Sequence, residues 1–348
     1  MATTFKTLMN NDIASTRTLL HEAIPVTGTI VSGTYTDENI KNYAHGMFQS
    51  VYDYPYLSSS ANHIFDITAG YASDSELSSS DSPQNAKKIN VYNQLAQVLV
   101  GHDVTGNIQN FDQDGDITAG GTKMRECFFL NFARLLSKDE IKKGSFTTEI
   151  YVDGLSEEPS GSVTVSDYGA ETSFKVNSPT GEYGILYTSS ATPNTDSGVG
   201  HIYYQAGIAV LTASVFSRAT GSGGAFGAPT TSSASPEGVL TGSNIQTFAD
   251  GVRNRLANTE FNNTTELNST IYFTRANTGD YNYSANPTYL SASKIRVKGD
   301  NPFAEPVSYI TTVGLYSADN ELLAVAKLSE PLKKTPSNEL TLRVRLDY

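Results

Sequence analysis

At 348 residues the chain is long enough for two or three compact units, yet only 17% of it is charged, against about 25% in an average soluble domain. Its 36 acidic and 24 basic residues leave a net charge of −12, which repels phosphate and excludes nucleic-acid binding over a broad surface. The single cysteine excludes an intramolecular disulfide framework and a multi-cysteine zinc site, and no run of about 18 apolar residues offers a membrane-spanning helix.

Residues 1–35 mix Thr, Asn and short apolar pairs, and Pro25 and Gly28 break any regular run. They read as an extended N-terminal arm with one helical turn at Ser15–Glu22. The start, MATTFKTLMNND, lacks the basic residues and apolar core of a signal peptide, so the sequence predicts a protein made in a cytoplasm without export. Phe5, Leu8, Leu19, Leu20 and Ile24 are candidate partner contacts, because apolar groups on an arm have no core of their own; the alternative is that they fold back on this chain.

Residues 36–144 read as a mainly helical region. Ile40, Tyr43, Ala44, Met47, Phe48 and Val51 recur at three- and four-residue spacing, which predicts a helix over Asp37–Tyr52. A second helix is expected over Lys87–Val100, stopped by Gly101, and a third over Lys123–Leu136, where Cys127, Phe128, Phe129 and Leu130 are too apolar to face water. Cys127 itself reads as a small buried hydrophobe.

From Ser145 the period changes to two, and residues 145–348 read as a mainly antiparallel β region. Phe146, Thr148, Ile150 and Val152 alternate, as do Tyr183, Ile185 and Tyr187. Ile202–Val210 also alternates, with Gly207 as a bulge or turn. The Gly/Ser loop 217–243 is too poor in apolar residues to order itself, and a fourth helix is expected over 244–258. The last forty residues form a β-meander, with a turn at Ser317–Asn320 and a closing strand built on Leu342, Val344, Leu346 and Tyr348. The fold class expected is therefore α+β, a helical layer packed on an antiparallel sheet.

Little in the chain resembles catalytic machinery. Asp112, Asp114 and Asp116 alternate as hard-cation ligands do, but the sixth and twelfth positions of the Ca²⁺ loop carry Ile117 and Lys123 instead of Gly and Glu, so the sequence favours an acidic turn over a metal site. The glycine-rich stretch at Gly221–Gly227 has no Lys-Ser/Thr pair after it and is no phosphate cradle. The five histidines are scattered without HExxH spacing, and GxSxG is absent. The sequence is read as non-enzymatic, with no cofactor.

Three segments then resemble virion structural proteins of tailed bacteriophages, the T4-like phages of cyanobacteria in particular. They are Asn90–Ala96 (NVYNQLA), Phe128–Ile150 (FFLNFARLLSKDEIKKGSFTTEI) and Phe261–Ala276 (FNNTTELNSTIYFTRA). A fourth, Val313–Tyr316 with Leu322–Ala326, is similar to the closing hairpin of tail-collar and fibre-attachment proteins. Together they span less than a third of the chain. The resemblance implies a non-enzymatic subunit of a tail, baseplate or neck, found in the virion and assembled in the host cytoplasm. Its partners would be copies of itself and neighbouring virion proteins, with no nucleic acid or membrane. A receptor- or glycan-binding fibre module and a capsid decoration protein remain alternatives, as does a polysaccharide hydrolase for which no acid/base pair stands out.

Overall fold

The computed structural model describes residues 5–26, 37–79, 82–116, 121–154, 159–188, 198–218, 244–282, 286–291, 294–295, 297 and 303–348. Most of the loop expected at 217–243 therefore lies outside the described residues.

The strands in chain order are β1 (Ile13–Pro25), β2 (Ile40–Asn42), β3 (Gln49–Tyr52), β4 (His63–Tyr71), β5 (Phe111–Asp112), β6 (Lys123–Met124), β7 (Glu126–Phe132), β8 (Glu140–Ile141), β9 (Thr147–Gly154) and β10 (Pro159–Ser166). They continue with β11 (Lys175–Ser178), β12 (Gly181–Tyr187), β13 (Gly198–Tyr203), β14 (Ile208–Thr212), β15 (Leu256–Ala276), β16 (Leu290–Ser291), β17 (Lys294–Ile295), β18 (Ser308–Tyr316), β19 (Leu322–Lys334) and β20 (Leu340–Asp347). Among the described residues there are two long helices, α1 (Pro83–Leu99) and α4 (Ile245–Arg255), and two single turns, α2 (Arg134–Ser137) and α3 (Ala170–Ser173). Among the described residues strand makes up 49% and helix 18%, so the architecture is close to all-β and the expected α+β helical layer is not there.

Two of the expected helices are strands, for two different reasons. Asp37–Tyr52 forms the hairpin β2–β3, paired from Ile40↔Val51 to Asn42↔Gln49. Gly46 turns it with φ +65°, a left-handed conformation that a helix interior does not accommodate. Lys123–Leu136 contains β6 and β7, and β7 pairs with β4 on one side and β14 on the other. Its side chains go alternately into two cores: Phe128, Leu130 and Phe132 into one, Cys127 and Phe129 into the other. A central strand buried on both faces shows no polar stripe, so its apolar run looks like a buried helix. Ser15–Glu22 is likewise part of the strand β1, where a helical turn was expected.

The contacts group the chain into two compact units, Leu20–Thr265 and a second made of Met1–Leu19 with Glu266–Tyr348. In the first, antiparallel neighbours run β9-β10-β12-β13-β14-β7-β4-β3-β2, with the beginning of β15 beside β9. Helix α1 is capped by Ser82, whose Oγ accepts from Asn85 N at 3.2 Å, and starts on Pro83. It buries Val91, Tyr92, Ala96 and Leu99 in one core, while α4 buries Phe248, Ala249 and Val252 in the other. Helix α1 lies close on β4 because Gly70 has no side chain. A Cβ there would stand 2.5 Å from the Lys88 carbonyl oxygen.

The second unit holds the far end of β15, which pairs with β20 from Ser269↔Asp347 to Ala276↔Leu340. It also holds the hairpin β18–β19, in register at Gly314↔Val325. The turn expected at Ser317–Asn320 is present, with Asn320 at φ +62° and Ser317 N donating to Glu321 O at 2.9 Å. Among the described residues, the only buried apolar side chain of this unit is Ala276.

Candidate functional site

In the second unit the hairpin β18–β19 and strand β20 line a groove of about 810 Å³. The alternation seen in the sequence brings Ile310, Val313 and Leu315 of β18, Ala324 and Ala326 of β19, and Leu342, Val344 and Leu346 of β20 to its walls. All of these are only half-buried. Phe5, Lys6, Thr7 and Leu8 also line the groove. The Phe5 ring lies 4.8 Å from that of Tyr316, and Lys6 forms an ion pair with Asp280. Four tyrosines, Tyr272, Tyr281, Tyr309 and Tyr316, complete the lining.

The five candidate contact residues thus fall into three settings. Phe5 and Leu8 stand at the groove, Phe5 still 42% exposed. Leu19 and Leu20 are exposed on β1, and Ile24 packs against the core of the larger unit. The arm is anchored beyond them: Val26 is fully buried and its N–H donates to Thr259 O at 2.8 Å.

Asp112, Asp114 and Asp116 are brought together in the larger unit, with one carboxylate oxygen from each within 4.8 Å of the others. Two buried side chains and the exposed Asn177 hold the loop. His201 Nε2 stands 2.5 Å from Asp112 O, and Tyr183 Oη and Asn177 Nδ2 both donate to Gly115 O, at 2.9 and 3.0 Å. Asp112 is 1% exposed and pairs with Lys123, yet its Oδ1 has no hydrogen-bond partner. Burial, with Asp114 beside it, pushes its carboxyl up against the pull of Lys123. Asp114 is held below the usual range, chiefly by the Asp116 N–H donated to it. Burial takes His201 down to about 4, so the ring is neutral.

Two buried titratable groups had no distinct sequence signal as sites. Burial lowers the Lys88 amine to about 8, and its ammonium lies over the Phe248 ring at 4.7 Å from the centroid. The signal was its spacing: Lys88 shares the buried stripe of Val91 and Tyr92. Asp167, in a shallow cleft with Gly144, Thr147 and Glu171, accepts from Gly144 N at 2.7 Å, Phe146 N at 3.0 Å and Tyr204 Oη at 2.9 Å. With its oxygens so engaged, it pins the β8–β9 turn to the end of β10 instead of offering a general base.

Burial nevertheless lifts the Asp167 carboxyl to about 6, above its ordinary 3.8. A raised folded-state value stabilises most below the unfolded value, and the benefit disappears as pH climbs through the folded one. Between pH 4 and pH 7 this group should remove about 2 kcal/mol of stability. Urea denaturation of the wild type and Asp167→Asn across that range checks it. The difference between the two proteins should change by about 2 kcal/mol with pH, and a constant difference would contradict the assignment.

Comparison with protein-family models, with curated proteins and with solved structures gives no match. Among the described residues, no helix is long and apolar enough to cross a membrane.

Proposed function

We propose that this protein is a non-enzymatic structural subunit of a tailed-phage virion, in the tail, baseplate or neck, that assembles into rings and docks neighbouring virion proteins. The observation that carries the reading is the open interior of the second unit. The described residues of this unit pair as β15–β20, β18–β19 and β16–β17, with β1 beside β15; Ala276 is their only buried apolar side chain, and the apolar sides of β18, β19 and β20 face a groove. Burying apolar area is the dominant favourable term in both folding and association, so a half-closed core gains most when another chain covers it. Leu19 and Leu20 are also exposed on β1. The resemblance of Phe128–Ile150 and Phe261–Ala276 to phage structural proteins supplies the particle.

The full chain is expected to elute as a closed oligomer in size-exclusion chromatography with light scattering, and to be found by mass spectrometry in purified particles. The protein lacking residues 1–9 should keep its fold, because β1 and Val26 remain, and should lose the oligomer. A full chain that stays monomeric and is missing from particles would overturn the proposal.

A second reading rests on the four tyrosines of the same groove. Tyr281 and Tyr309 are 56% and 63% exposed and present flat amphipathic faces of the kind that stack on sugar rings. A glycan array on the isolated protein separates a fibre-attachment module from a purely structural part.

A further inference from the structure

The geometry points to a divalent-cation site formed by Asp112, Asp114 and Asp116, with Ca²⁺ as the ion that fits it best. It is independent of the groove and of the assembly reading.

An acidic cluster alone says little, since exposed carboxylates often gather without an ion. Here a separate observation points to a ligand. Asp112 is almost fully buried, and while one of its oxygens meets Lys123, the other, Oδ1, has no hydrogen-bond partner, with Asp114 beside the same carboxyl. A buried acceptor left unsatisfied is costly, and native structures keep very few. A proton or a cation satisfies it, and a cation also relieves the repulsion between Asp112 and Asp114.

Charge and rigidity agree. Three carboxylates against the Lys123 ammonium, with Lys175 also acting on Asp114, leave between one and two negative charges for a cation to offset. The loop backbone is fixed beforehand by His201 on Asp112 O and by Tyr183 and Asn177 on Gly115 O, so little ordering is left for binding to impose. The donors are all carboxylate oxygens, hard ligands that exclude copper and zinc preference and suit Ca²⁺ or Mg²⁺. Ca²⁺ is favoured because it accepts irregular geometry, with water completing its shell, whereas Mg²⁺ demands a near-ideal octahedron.

The test uses the full chain after chelator treatment. The protein has 20 tyrosines and no tryptophan, and the Tyr183 hydroxyl lies 2.9 Å from the loop at Gly115 O, so bound Tb³⁺ should luminesce on tyrosine excitation. Saturable luminescence displaced by Ca²⁺ is expected, with a rise in Tm of roughly 4 °C at a Ca²⁺ concentration about a hundredfold above Kd. Both signals should vanish in Asp114→Asn/Asp116→Asn, whose changes lie on the exposed side of the loop and leave the core intact. Lys123→Gln, which removes the competing ammonium, should bind several-fold more tightly. No saturable Tb³⁺ signal, one undiminished in the double variant, or weaker binding by Lys123→Gln would overturn the proposal. A Mg²⁺ response equal to that of Ca²⁺ would overturn the choice of ion.

Discussion

Deleting Glu339–Tyr348 is expected to unfold the unit made of residues 1–19 and 266–348 while leaving Leu20–Thr265 folded. Strand β20 is joined to β15 by eight consecutive partner positions, Ser269↔Asp347 to Ala276↔Leu340. Pairing continues to Tyr348, whose N–H donates to Asn268 O at 2.9 Å and whose carbonyl accepts from Asn268 N at 3.2 Å. Side chains add to it: Ser269 Oγ donates to Asp347 Oδ1 at 2.5 Å, and Arg345 Nη2 donates to Ser269 Oγ at 3.0 Å. The same strand supplies Leu342, Val344 and Leu346 to the groove. Without it, the hairpin β18–β19 loses Leu342, Val344 and Leu346 from the side it faces, and a hairpin with so little cover is marginal. Hydrogen exchange should therefore rise to nearly unprotected rates over Ser308–Lys334 and rise in part over Asn268–Ala276, where β1 remains beside β15. Phe128–Leu130, central in the larger unit, should keep full protection. Loss of protection in both places, or in neither, would refute this division of stability.

That expectation was legible in the sequence, because an amphipathic strand advertises itself. Leu342, Val344 and Leu346 alternate with Arg343, Arg345 and Asp347, and no other regular structure sorts those residues so well. The same rule located β9 and β12, and the 3.6-residue period located α1 and α4. Even there the ends moved. Helix α1 begins at Pro83, four residues ahead of the expected Lys87, on a Ser-Pro pair that was visible as a start signal. Helix α4 stops at Arg255 because Leu256 already pairs with Ile150 across to β9.

Where period failed, burial was the cause. Cys127–Leu130 has no polar face in the fold because sheet neighbours and two cores surround it, so nothing in the run itself distinguishes strand from helix. Asp37–Tyr52 misled in the opposite way: its apolar residues fit a helical stripe by coincidence, and only Gly46 hinted at a turn. These two misreadings created the helical layer that the structure lacks. The candidate sites divide similarly. The acidic residues were visible as a local motif, but the orphaned Asp112 oxygen and its supports His201, Tyr183 and Asn177 come from distant segments. The groove required knowing that β18, β19 and β20 turn their apolar sides towards one space, which no local pattern states.

Lys334→Met is expected to destabilise the same small unit by about 2 kcal/mol, the largest effect anticipated for a single substitution there. Lys334 is fully buried, and its Nζ donates to Asn282 Oδ1 at 2.9 Å, Thr278 O at 3.1 Å and Thr335 O at 2.7 Å. Asn282 extends the knot by donating from Nδ2 to Pro306 O at 2.9 Å and to Lys334 O at 3.1 Å. Its direct acceptors are three neutral oxygens, and the Asp280 carboxylate feels its charge from further off. In a unit with almost no buried apolar surface, this polar knot ties the turn after β15 to the start of β18 and the end of β19. Methionine keeps the length of the stem and removes every donor. The gain from no longer burying a charge offsets part of the loss, which is why the figure is about 2 and not the 3–5 kcal/mol of a broken buried ion pair. Urea denaturation followed by hydrogen exchange at Asn277–Asn282 measures it. Asn282→Ala should cost a similar amount, and the double variant should cost at least about 1 kcal/mol less than the sum, since each change already breaks the other's bonds. Additive losses would mean that the two side chains act separately and that the unit is held together elsewhere.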